Sequence, residues 1–144
     1  MANRYEAPVT ITAEQFDIEF HDVDHSGASY EGRVFLNNPR ADATTPLTPE
    51  NGYAGAFHIF GHGGCYGDDE GHCEVRPRRR YDPRPAHQLT LARKVVIATE
   101  AVRLALAAGP KVTVKVVPIV RATTPKAGPE DVFSYDHVSI VTYP

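Results

Sequence analysis

A period of two runs through much of the chain. Phe16, Ile18 and Phe20 alternate with Asp17, Glu19 and His21, the pattern of a strand with one buried and one wet face. A polar turn at Asp24-His25-Ser26-Gly27 follows, and Tyr30 to Leu36 resumes the alternation with Tyr30, Gly32, Val34 and Leu36 on one side. These two runs are expected to pair as a hairpin. Tyr53 to Phe60 is a third strand, with Tyr53, Gly55, Phe57 and Ile59 facing one way. Leu89 to Ile97, rich in aliphatic and β-branched residues, is a fourth. Lys111 to Val120 alternates valines with Thr113 and Lys115, and Pro118 calls for an edge or a bulge near its end. Val132 to Tyr143 closes the chain as a last strand.

The pattern changes in three places. Thr99 reads as a helix N-cap with Glu100 in the first turn, Val102, Leu104 and Leu106 behind it, and Gly109-Pro110 as a stop signal. One short helix is expected near 99–108. Residues 37–52 hold three prolines and little that is apolar, so they form a loop and not a sheet element. Residues 61–88 are 28 positions with five Gly, three Pro and hardly an aliphatic side chain. A connection of that length inside a compact domain is usually functional or disordered. Six or seven strands, one helix and Pro/Gly-rich connections predict a mainly β protein, an antiparallel β-sandwich, in one domain spanning 1–144.

Composition narrows the function. The chain has 144 residues, 42% hydrophobic and 23% charged, with a formal charge of -3; this is ordinary soluble globular usage, which excludes a fibrous or wholly disordered chain. No overall basic field is present to grip a phosphate backbone, so nucleic acid is not an expected partner. No apolar stretch approaches the ~20 residues that span a bilayer, and residues 1–20 lack a charged start followed by an apolar run. No membrane partner and a cytoplasmic location are the expectations. Association with further copies of the chain is compatible with this composition.

The candidate chemistry lies in and around the long glycine-rich connection. His58, His62, Cys65, His72 and Cys73 place five soft or borderline ligands within sixteen residues. Thiolate with imidazole selects copper(I) or zinc over magnesium or calcium. On one extended strand His58 and His62 stand ~13 Å apart at ~3.3 Å per residue, too far to share an ion. The expected ligand set is therefore His62, Cys65, His72 and Cys73, with Gly61, Gly63, Gly64, Gly67 and Gly71 letting the loop fold on itself. His58, and His21 and His25 on the first strand and its turn, are further candidates, while His87 and His137 are isolated from other ligands in sequence. The two cysteines alternatively form a disulfide or stay as unlinked thiols. A nucleophilic cysteine is disfavoured by its neighbours Asp68, Asp69, Glu70 and Glu74, which carry the wrong sign. The acidic triplet lacks the alternating oxygens of a calcium loop, and Arg76, Arg78, Arg79 and Arg80 read as a hydrated positive patch. No phosphate loop, GxSxG elbow or helical HExxH motif is present.

RVFLNNPRADATTP at 33–46 and NGYAGAFHIFGHGG at 51–64 resemble the β-sandwich domain that follows the dicopper domain in tyrosinases, polyphenol oxidases and molluscan haemocyanins. The shared elements are a strand ending in an Asn-Pro loop, a Thr-Pro segment, and a Tyr-x-Gly-x-Phe strand ending in Phe-Gly-His. The resemblance implies a jelly-roll or cupredoxin-like sandwich that covers an oxidase's active-site entrance, supports its folding or assists copper loading, with a type 3 copper oxidase domain or chain as partner. The helical bundle and histidine set of a complete tyrosinase are missing from this sequence.

Three functions follow as expectations. The first is a small metal-binding protein, copper first and zinc as the alternative, acting as an accessory module of a tyrosinase-like oxidase. The second is a stand-alone mononuclear metal-dependent oxidase or oxygenase with His21, His25, His58 or His62 among its ligands and Tyr53, Phe57, Phe60 and Tyr66 at the site's mouth. The third is a structural interaction domain with a Cys65–Cys73 disulfide.

Overall fold

The computed structural model describes residues 3–5, 15–25, 27–61, 80, 81, 83, 91–120 and 132–144. Seven strands appear among them: β1 (Asn3–Tyr5), β2 (Gln15–Val23), β3 (Tyr30–Leu36), β4 (Tyr53–Ile59), β5 (Ala92–Ile97), β6 (Val112–Ile119) and β7 (His137–Tyr143). A 3-10 turn at Pro49–Asn51 and one helix, α1 (Thr99–Ala108), complete the elements. The strands form two sheets, ordered β1-β6-β3-β4 and β5-β2-β7, and every pair is antiparallel. The protein is mainly β, with the layout of a sandwich.

The alternating pattern decides which side of each strand enters the core. Phe16, Ile18 and Phe20 of β2 face Tyr30, Val34 and Leu36 of β3 across the layer between the sheets, joined by Phe57, Ile59, Val96, Val112, Val114, Val138 and Ile140. Gly32 shares this inward face because the Phe57 ring lies on it: a Cβ there would sit 2.4 Å from Phe57 Cζ. Phe35, on the opposite side of β3, is also fully buried, covered with Val117 by Ala41 of the 37–52 loop.

The expected hairpin between the first two runs does not form. β2 pairs with β5 and β7, whereas β3 pairs with β4 and β6. Both runs are strongly apolar on one side, and burying both sides is achieved by stacking them face to face. A bulge at the end of β2, where Asp22 takes φ 55, shifts the register between Phe20 and Val23 and turns the chain out of its sheet. A backbone bond from Asp24 N to Ser134 O at 2.9 Å holds the departing chain.

The helix covers 99–108 as read, but its N-cap is Ala98. The Thr99 hydroxyl is engaged elsewhere, accepting the backbone N–H of Phe16 at 3.1 Å. Val102 and Ala105 are its buried residues, and Ala98 N donates to Phe16 O at 2.9 Å, so the helix is tied to the start of β2. Pro118 sits where β6 is locally an edge among the described residues. It pairs with Gly32 on β3, while β1 reaches only Val112, Thr113 and Val114 on the other flank.

Candidate functional site

Strand direction sorts the molecule into two ends. β2, β4 and β6 finish at the same end where β3, β5 and β7 begin, as the register pairs Val23↔Ala92, Tyr30↔Ile59, Glu31↔Ile119 and His21↔His137 require. The four histidines among the described residues, His21, His25, His58 and His137, all lie at or near this end. The chain also leaves β4 here towards the glycine-rich connection.

Beneath this end lies an aromatic floor. Phe20 packs against Phe57 at 5.0 Å between ring centroids, with Phe133 and Tyr135 edge-on at 6.0 Å each. Tyr30 completes the group, edge-on to Phe57 and Phe133. Its hydroxyl is buried, with no hydrogen-bond partner among the described residues. Burial pushes this phenol well above its ordinary range, and the nearby Asp24 carboxylate adds to the shift. Burial alone raises Tyr135.

Polar groups cluster on the outer face of the β5-β2-β7 sheet. His21 points out of the central strand, and its Nε2 lies 2.8 Å from Ser139 Oγ on β7 and 3.6 Å from Glu19 Oε2. Glu19 is only 4% exposed although it faces away from the main core. A buried carboxylate needs a partner, and the guanidinium of Arg93 on β5 supplies one at Oε1. Asp17, buried likewise, accepts from Gln15 Nε2 at 3.0 Å. His21 stacks on its register partner His137, with centroids 4.1 Å apart and planes within 7°. His137 Nδ1 is 2.7 Å from Asp136 Oδ2, and Asp136 N donates to His21 O at 2.9 Å.

This arrangement constrains the chemistry. Serine and carboxylate both approach the same nitrogen of His21, whereas a nucleophilic triad needs them on opposite nitrogens. The two stacked imidazoles have their in-plane lone pairs in parallel planes, so these do not converge on one point. Among the described residues no group of three or more His, Cys, Asp or Glu is arranged to hold a metal ion.

The sequence candidates are distributed as follows. His58 is exposed on the outer face of the other sheet, opposite Glu31. His21 and His58 therefore look outward on opposite sides of the sandwich and do not meet. His25 lies in the connection between β2 and β3. His62, Cys65, His72 and Cys73 lie outside the described residues, as do Tyr66, His87, the acidic triplet and Arg76 to Arg79. Gly61, the entry to that stretch, is described. A Cβ there would stand 2.1 Å from Gly27 O, and Gly61 N donates to Ser29 Oγ at 3.0 Å. Only glycine allows this approach, which places the exit from β4 against the loop that carries His25.

Glu19, Arg93, Asp136, His137 and Ser139 were not predicted as a group. Their association comes from the β2–β7 and β2–β5 registers, which link positions far apart in sequence. The local signal was limited to the alternation that puts Glu19 and His21 on one face. The chain matches no protein-family model, no curated protein and no solved structure.

Proposed function

We propose that the histidine-bearing end of the sandwich is a soft-metal site that takes copper, with zinc as the alternative ion, and that the protein serves as an accessory, metal-handling module of a tyrosinase-like copper oxidase. His62, Cys65, His72 and Cys73 are the principal ligands in this reading, with His25 as the flanking candidate; His21 and His58, which face outward on opposite sides of the sandwich, do not share that ion. The observation that carries it is the close seat of Gly61 on the Gly27–Ala28 backbone, at the end of the sandwich where His25 lies. That seat delivers the chain to the His25 loop one residue before His62. The buried aromatic floor supports the reading as well, because an apolar surround keeps water from competing for a soft ion. The oxidase partnership rests on the resemblance of 33–46 and 51–64 alone.

Copper(I) titration in the presence of a competing chelator tests the site. Stoichiometric binding is expected for the native chain, weakening as pH falls because thiolates must lose their protons to bind. Cys65→Ser and Cys73→Ser should each weaken it sharply. Unchanged stoichiometric binding in both variants would remove the site. A mass lower by two hydrogens with no bound ion would instead indicate a stapled loop.

A further inference from the structure

We infer that the opposite end of the sandwich holds a second site, a preformed cleft between α1 and the turn around Pro49–Asn51 that binds a small organic cation with an apolar body. The cleft has a volume of about 820 Å³, within the roughly 300–1,000 Å³ of small-molecule sites. It exists because the helix presents Ala101, Ala105 and Ala108 to it, where longer side chains would fill the space.

Both walls are fixed before any ligand arrives. On one side, Asn51 N and Tyr53 N donate to Thr48 O, Gly52 N donates to Pro49 O, and Leu36 N donates to Gly52 O. Asn38 Nδ2 donates to Asn51 O at 2.8 Å. Gly52 sits at φ 80, and a Cβ there would be 2.1 Å from Leu36 O, so this wall is pressed directly on β3. On the other side, the two bonds to Phe16 hold the first turn of the helix. Preorganised walls lower the ordering cost of binding.

The mouth selects the ligand. Ile97 and Leu104 line it while 70% and 58% exposed, which leaves apolar surface uncovered where a hydrophobic body would rest. Glu50 stands on the turn and Glu100 on the first helical turn, and no Lys, Arg or His is among the described residues that line the cleft. The positive end of the helix dipole lies here also, but Glu100 already answers it. Arg103 Nη1 lies 3.2 Å from Oε1 of Glu100 on the exposed surface. With Glu100 shared between the helix dipole and Arg103, the Glu50 carboxylate sets the sign at the opening, and it favours an ammonium or amidinium head over a carboxylate or phosphate.

Amide chemical-shift titrations of the full chain with phenethylamine, 2-phenylethanol and 3-phenylpropanoate test this with three heads on one body. Saturable shifts at Gly52, Ala101 and Ala105 are expected with the amine, at an affinity about fivefold above the alcohol's, the effect of an exposed charge pair. Glu50→Gln with Glu100→Gln should bring the amine down to the alcohol, and Leu104→Lys, at an exposed position, should weaken the amine while sparing the fold. The inference is overturned if none of the probes gives saturable shifts at these amides, or if the alcohol or the carboxylate binds as tightly as the amine. Copper binding at the far end is unaffected by either result.

Discussion

The two ends of the sandwich are built by different means. At the helix end the closing elements are local: α1 is a continuous segment between β5 and β6, and the 48–53 turn satisfies its own backbone. At the histidine end several described contacts join residues distant in sequence, such as His21 with Ser139 and His137, and Glu19 with Arg93. The first kind of end takes its elements from short-range signals, is pinned to the sheets through Phe16 and Leu36, and keeps a shaped cleft. The second depends on strand register, and it concentrates imidazole and carboxylate where the glycine-rich connection leaves β4.

The contrast is broken most severely at the aromatic floor. Phe20→Ala should cost about 3–5 kcal/mol, the usual range for a deleted core ring, since Phe20 is fully buried and contacts three other rings. Val102→Ala, the buried anchor of the helix end, should cost only about 2 kcal/mol from its lost methyl groups. Urea denaturation of both variants gives the comparison directly, and equal losses would mean that the ends are equally anchored.

Gly32→Ala sharpens the same point from within the shared core. Its new Cβ meets the Phe57 ring, and overpacking of this kind costs about 1–3 kcal/mol. Pairing it with Phe57→Leu should recover part of the loss, because the smaller side chain vacates the space. A null double-mutant coupling would show that the ring yields freely.

Arg93→Ala separates the outer-face cluster from the core. It leaves Glu19 buried beside His21 and its register partner Ser139, and about 1–2 kcal/mol should be lost, discounted because Arg93 itself is 60% exposed. Glu19→Gln in the same background should restore stability, as it removes the uncompensated charge.

The smallest effect at neutral pH is expected at Tyr30. Its hydroxyl makes no hydrogen bond among the described residues, so Tyr30→Phe should change stability by no more than about 1 kcal/mol at pH 7. The difference appears in alkali. Because the folded phenol is raised above its unfolded value, the folded state holds its proton while the unfolded chain ionises near pH ~10. Stability is then intact below that pH and declines above it. Tyr30→Phe should flatten much of the decline, leaving the smaller share from Tyr135.

How far the sequence could be read follows from the same division. The inward set Tyr30, Gly32, Val34 and Leu36, the strand over 53–59, and the helix with its Gly109-Pro110 stop were legible because alternation and capping act within a few residues. The partner of each strand was not. Two strands six residues apart went to different sheets, since an amphipathic strand is satisfied by any neighbour that extends its sheet and any apolar face that covers it. The same gap hid the polar cluster: His137 looked isolated in sequence, but register sets it on His21. Thr99 looked like a cap because its type favours that role, while the backbone of Phe16 claimed its oxygen first. Of the expected metal set, only the flanking candidates His21, His25 and His58 fall within the described residues.

The short reach of β1 along β6 has a further effect. From Val116 to Ile119 one flank of β6 has no strand pairing among the described residues, and a free ladder edge is an invitation for another chain to dock in extended form. Pro118 sits in that stretch and offers no amide hydrogen, so an incoming strand loses a rung of the ladder there. Replacing it with valine should leave the monomer's core as it is while making concentrated solutions of the protein more prone to form ordered aggregates.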